Sequence, residues 1–144
     1  MNQEFVPVKV LLVEDNPGEV ELAREALSAS KLKVDIVVAS NGVEALRVLE
    51  TAAPDELPHM MFLDLNMPKM SGIEVLKVVK SHPTWGRIPV VILSSSKAES
   101  DIARSYDLHA NCYVTKPIDF TQFMAVVNSI EEFWFAVVTL PRKA

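Results

Sequence analysis

Five apolar runs, most of them rich in β-branched residues, punctuate the chain: Val8 to Val13, Val34 to Ala39, Met60 to Leu65, Pro89 to Leu93, and a shorter one around Cys112 to Thr115. After each comes a polar residue with Glu or Gln three positions later: Asn16/Glu19, Asn41/Glu44, Ser71/Glu74, Ser96/Glu99 and Asp119/Gln122. Such pairs are the mark of a capping box, in which each side chain satisfies a backbone amide left unbonded at a helix start. Five pairs in phase with five runs impose a strict alternation of strand and helix. The runs are apolar but for Lys9, Asp35, Asp64 and the ends of the shorter one, as strands of a sheet covered on both faces are, and parallel neighbours require crossover helices on both faces. The chain therefore reads as an α/β domain, a doubly wound (βα)5 unit around a parallel five-stranded sheet.

The helical segments supply the covering faces: Val20, Ala23 and Leu27 in the first, and Phe120, Phe123, Val127, Ile130 and Trp134 in the last. Pro17 is expected at the first helical position, where its missing N–H costs nothing. At 144 residues there is room for one domain, with residues 1–7 and 133–144 as terminal extensions. No apolar run approaches the roughly 20 residues a membrane-spanning helix needs. Met1 to Phe5 lacks the basic stretch and apolar core of a secretion signal, and Cys112 is the single cysteine, so the expected compartment is the reducing cytoplasm. Charge argues against a nucleic-acid partner: the net charge is -5, and residues 1–72 carry 12 Asp/Glu against 6 Lys/Arg.

In an open doubly wound sheet, ligands bind beyond the carboxyl ends of the strands, where the strand order reverses. The residues at those ends are Glu14 and Asp15 after the first strand, Asp64 at the third, Ser94 after the fourth, and Lys116 with Pro117 after the fifth. With the order 2-1-3-4-5, the first and third strands are neighbours, and Glu14, Asp15 and Asp64 converge. Three adjacent carboxylates repel unless protons or a cation offset them. Oxygen ligands alone suit Mg2+; zinc would favour Cys and His, but His59, His82 and His109 are scattered and Cys112 is alone. A hydroxyl, Ser94, and an ammonium, Lys116, complete the equipment for holding a phosphoryl group. Asp64, at the end of a central strand, is the expected nucleophile.

These residues resemble a known family, the receiver domains of two-component response regulators, with the CheY-like, flavodoxin-like fold. The resemblance rests on Glu14-Asp15, on Asp64-Leu65-Asn66-Met67-Pro68 with Gly72, on Ser94 and on Lys116-Pro117, and it covers nearly the whole chain. It implies that Asp64 accepts a phosphoryl group from a phosphohistidine of a sensor kinase. It further implies Mg2+ held by Asp15, Asp64 and the backbone carbonyl of Asn66, with Glu14 acting through a water. Ser94 is the switch hydroxyl, often Thr in the family, Lys116 pairs with the phosphate, and Tyr113 is either an aromatic switch or a packing residue. Beyond its own phosphorylation and dephosphorylation, no enzymatic turnover is implied.

A narrower resemblance, carried by Tyr106-Asp107-Leu108-His109, Asn111-Cys112-Tyr113 and the ending from Phe133-Trp134 to Thr139-Leu140-Pro141, is to the small single-domain regulators that partner phytochrome-type histidine kinases. It implies a light-sensing kinase upstream and a homodimer. The tail itself points the same way, because Phe133, Trp134, Phe135, Val137, Val138 and Leu140 occupy more than one helical face. Either a partner covers them, through the fourth helix, fifth strand, fifth helix and tail, or the tail folds back on its own domain. Three rival functions are a constitutive interaction module, an aspartyl-phosphate phosphatase and a flavin carrier. The phosphatase would place a second Asp where Asn66 stands, and a flavin phosphate would want amides rather than carboxylates after the first strand.

Overall fold

The computed structural model describes residues 8–29, 33–67, 69–95, 98–116 and 119–136, with side chains through Ser129. The extension 1–7, the side chains of Ile130 and of the extension 133–144, the backbone from 137 on, and Ser96 and Pro117 lie outside the described residues. Strands β1 (Val8–Val13), β2 (Val34–Ala39), β3 (Met60–Asp64), β4 (Val90–Ser94) and β5 (Cys112–Thr115) alternate with helices α1 (Pro17–Ser28), α2 (Gly42–Thr51), α3 (Gly72–Ser81), α4 (Glu99–Asp107) and α5 (Phe120–Ala136). All pairings are parallel and the order is 2-1-3-4-5. The crossover between β1 and β3 sets the reversal point.

Successive strand residues point to opposite faces, and each face has its own core. Val8, Val10, Leu12, Met60, Phe62, Val91 and Leu93 pack with Ala23, Ala26 and Leu27 of α1 and with Phe123 and Val127 of α5. Leu11, Val13, Met61, Leu63, Val90 and Ile92 pack with Ala45 and Leu49 of α2 and with Val75, Leu76 and Val79 of α3. Continuous apolar runs in β1, β3 and β4 are thus what a sheet buried on both sides demands. The rings of Phe62 and Phe123 lie 5.5 Å apart and tilted by 43°, tying α5 to the middle of β3. Phe120 departs from expectation. It is 41% exposed in the first turn of α5, one turn before the helix reaches the sheet at Phe123.

The helix starts follow the caps in part. Asn16, Asn41, Ser71 and Asp119 each accept a hydrogen bond from the amide three residues on. The reciprocal bond, back to the cap's own amide, forms at Ser71/Glu74 and Asp119/Gln122. Glu44 reaches one residue further, accepting from the Ser40 amide at 2.9 Å, and Glu19 turns elsewhere, as described below. Helix α4 opens at Glu99 behind Ala98, and the expected Ser96/Glu99 pair falls on Ser96, outside the described residues. Among the described residues of α4, Ser105 is the buried one.

Candidate functional site

The carboxyl ends of four strands, β1, β3, β4 and β5, bring the site together. The Glu14 amide donates to the Ala39 carbonyl at 3.0 Å, extending the β1–β2 pairing by one residue and directing the Glu14 side chain under the sheet's carboxyl edge. The Lys116 amide donates to the Ser94 carbonyl at 2.7 Å, which fixes the backbone after β5 beside the end of β4. After β3 the chain turns back sharply: Lys69 takes a left-handed backbone with φ 69°, and the Gly72 amide donates to the Leu65 carbonyl at 3.1 Å. Gly72 is required there by space, since a Cβ would stand 2.6 Å from the Leu65 Cα and against the Asp64 carbonyl.

Glu14, Asp15 and Asp64 offer carboxylate oxygens that all lie within 4.8 Å of one another, the convergence expected from their positions on β1 and β3. Glu14 and Asp64 are buried and Asp15 is exposed. An open depression of about 660 Å³ lies over them, lined also by Asn16, Asn66, Ser95 and Lys116. The Asp64 Oδ1 accepts from the Asn66 amide at 3.0 Å, and Oδ2 lies 3.4 Å from the Lys116 ammonium. Asn66 in turn donates through Nδ2 towards Ser94 Oγ at 3.4 Å and Ser95 Oγ at 3.2 Å, so it spans the loops after β3 and β4. The position where a phosphatase would carry its acid thus holds an amide that donates. Ser94 is fully buried at the end of β4.

Lys116 is the electrostatic hub. Its ammonium contacts Glu14 Oε1 at 2.8 Å and Glu19 Oε1 at 2.6 Å as well as Asp64. Burial alone would lower its pKa, but the hydrogen bonds to Glu14 and Glu19, then the charges of Asp64 and Glu14, outweigh it and hold the group above the ordinary ammonium range. Burial pushes the Glu14 carboxyl up to about 7, aided by the Asp64 charge and opposed by Lys116. An oxygen-only, negatively charged pocket with a buried carboxylate pushed towards its protonated form is the donor set a hard divalent cation fits.

Tyr113 is placed apart from this cluster. It is half-buried in β5, opposite Ile92, and packs against the core beneath α2 and α3. Glu19 is the site residue that sequence reasoning missed. The capping pattern assigned it to Asn16, and Asn16 does accept from its amide at 3.2 Å, but its carboxylate faces Lys116. The available signal was its place in the first turn of α1, which opens onto the carboxyl edge of the sheet.

The family described as response regulator receiver domain matches residues 10–128. Response regulator Rcp1 of Synechocystis sp. is 40% identical, over 98% of this chain and 99% of its own length. The probable methanogenesis regulatory protein FilR2 of Methanothrix harundinacea is 35% identical over 89% of this chain and 84% of its own. Among solved structures, the phosphorylated cyanobacterial phytochrome response regulator RcpA superposes with a TM-score of 0.82 at 45% identity, covering 94% of this chain and 99% of that one. The Mn2+-bound form of Rcp1 gives 0.80 at 38% identity over the same shares.

Proposed function

The chain belongs to the response regulator receiver domain family, and we propose that it is a phosphorylation switch in which Asp64 accepts a phosphoryl group from a phytochrome-type sensor histidine kinase. The observation that carries this reading is the placing of Asp64, Ser94 and Lys116 on the ends of three adjacent strands, with Lys116 3.4 Å from Asp64 Oδ2. In the transfer a carboxylate oxygen of Asp64 attacks phosphorus. The P–N bond of the phosphohistidine breaks, its electron pair returns to the imidazole, and a proton from solvent neutralises that nitrogen. Lys116 holds the developing phosphoryl charge, and Ser94 leaves its buried position to donate its hydroxyl to a phosphoryl oxygen.

Mg2+ held by Asp15, Asp64 and the Asn66 carbonyl, with Glu14 acting through a water, would supply the positive charge that offsets both the carboxylates and the phosphoryl oxygens. The orientation of Asp64 comes from the chain itself, through the Asn66 amide and the close packing of Gly72. Movement of Ser94 towards the phosphoryl group would vacate space between β4 and β5 for the Tyr113 ring to enter, so that the surface of α4, β5 and α5 would change with phosphorylation.

Output in this reading is protein contact in the cytoplasm, through a homodimer that uses α4, β5, α5 and the segment 133–144. Tyr106, 49% exposed on α4, and Phe120 on α5 support a partner on that face. A phytochrome-type kinase upstream is supported by the 45% identity to RcpA, a cyanobacterial phytochrome response regulator. The test is phosphotransfer from a purified, autophosphorylated phytochrome-type kinase, with sedimentation of the phosphorylated product. Label moving to the wild-type chain and not to Asp64→Asn, with a changed dimer fraction, is the expected result. No transfer while small phosphodonors still react would reject the kinase assignment.

A further inference from the structure

The Lys116 ammonium lies among three carboxylates, close to Glu19 at 2.6 Å and Glu14 at 2.8 Å and further from Asp64 at 3.4 Å. A phosphoryl group on Asp64 brings new oxygens to an ammonium already drawn towards Glu14 and Glu19. For the ammonium to turn towards those oxygens a carboxylate gives way, and the three are not equivalent. Asp64 carries the group. Glu14 is 2% exposed, and without its cation it would be left as an unpaired buried charge. The Glu19 side chain is 36% exposed on the first turn of α1, so it can rotate into water, where hydration replaces the lost ion pair.

We infer that Glu19 is a displaceable carboxylate that occupies, on Lys116, the place a phosphoryl oxygen takes after phosphorylation. The inference rests on the reading of Asp64 and Lys116 given above. Glu19 is then a positioning residue: it keeps Lys116 directed over Asp64 before phosphorylation and competes with the phosphoryl oxygens afterwards. Its release marks the phosphorylated state at the start of α1, on the opposite side of the site from Ser94. Helix α1 itself stays capped, because Asn16 bonds the Gly18 and Glu19 amides irrespective of where the Glu19 carboxylate points.

Beryllofluoride, a phosphoryl mimic, tests this in the presence of Mg2+, with binding to the wild-type protein, Glu19→Gln and Glu19→Asp followed by 19F NMR. Glutamine removes the charge; aspartate keeps it but is one methylene too short to hold the 2.6 Å contact. Direct competition predicts that both variants bind beryllofluoride more tightly than wild type, by about two- to fivefold, the scale of a half-exposed ion pair. If glutamine tightens binding and aspartate matches wild type, the effect is through-space charge and the inference is wrong. If neither tightens it, with helix content unchanged, Glu19 has only a structural role. A wild-type protein that binds no beryllofluoride at all, with Mg2+ present, would overturn the phosphorylation reading together with this one.

Discussion

The Lys116 ammonium and the Glu14 carboxylate are 102 residues apart in the chain and 2.8 Å apart in the fold. The pair closes the sheet's carboxyl edge from β1 to the residue after β5, and both side chains are almost wholly buried. Removing the cation leaves Glu14, Asp64 and Glu19 facing one another. Lys116→Met is expected to cost about 2–3 kcal/mol in urea denaturation with chelator present, somewhat under the full penalty for an orphaned buried charge because Glu14 can take up a proton. Added Mg2+ should recover more stability in this variant than in wild type. Equal recovery in both would show that the ammonium does not offset these carboxylates.

The raised pKa of Glu14 makes cation binding pH-dependent. An unfolded chain ionises this residue near 4.5 and the cation-free fold only near 7, so the fold holds a proton that unfolding releases. Stability from this group is therefore full below 4.5 and falls as pH rises towards 7. Mg2+ needs the ionised carboxylate, so its affinity should rise through the same window and level off above it, with proton release on binding. Titrations at several pH values in two buffers of different ionisation enthalpy measure both. Glu14→Gln should flatten the profile.

Gly72 ties the start of α3 to the strand that ends in Asp64. Its substitution by Ala puts a methyl 2.6 Å from the Leu65 Cα, where backbone must move. The expected loss is about 1–3 kcal/mol, the cost of overpacking, and because Asp64 moves with Leu65, phosphorylation by acetyl phosphate should slow as well. A destabilised variant with an unchanged phosphorylation rate would separate α3 packing from the site.

Lys80 provides the contrasting case at the opposite edge of the sheet. Its half-buried ammonium donates to the carbonyls of Gly86 and Ile88 and approaches Asn111 Oδ1 at 3.5 Å, while Asn111 Oδ1 also accepts from the Val90 amide at 2.9 Å. Burial lowers the Lys80 pKa, but its acceptors lie at the starts of β4 and β5, remote from Asp64. Lys80→Met should lower stability by about 1–3 kcal/mol, since buried acceptors lose their donor. Its phosphorylation rate should match wild type.

What could be read from the sequence follows from which signals are local. A strand buried on both faces is apolar along most of its length, so β1, β3 and β4 announced themselves, and β2 and β5 followed from their β-branched residues although both are only partly buried. The caps were legible because Asn16, Asn41, Ser71 and Asp119 act within three residues of themselves. The reciprocal half of the motif was less so: a lysine ammonium attracts the Glu19 carboxylate more strongly than a backbone amide does, and nothing within one turn of sequence reveals that Lys116 is close. Helix α4 gave the weakest signal, with Ala98 at its cap and one buried serine on its inner face. The carboxylate cluster was readable once strand order was known, because Glu14, Asp15 and Asp64 sit at the ends of adjacent strands.

Phosphorylation of Asp64 is the central claim, and intact mass after incubation with Mg2+ and acetyl phosphate tests it directly, beside Asp64→Asn and a chelator control. The account predicts one phosphoryl adduct on the wild-type chain, dependent on Mg2+ and absent from the variant. No adduct on folded protein with Mg2+ bound, or an adduct that survives in Asp64→Asn, would contradict it.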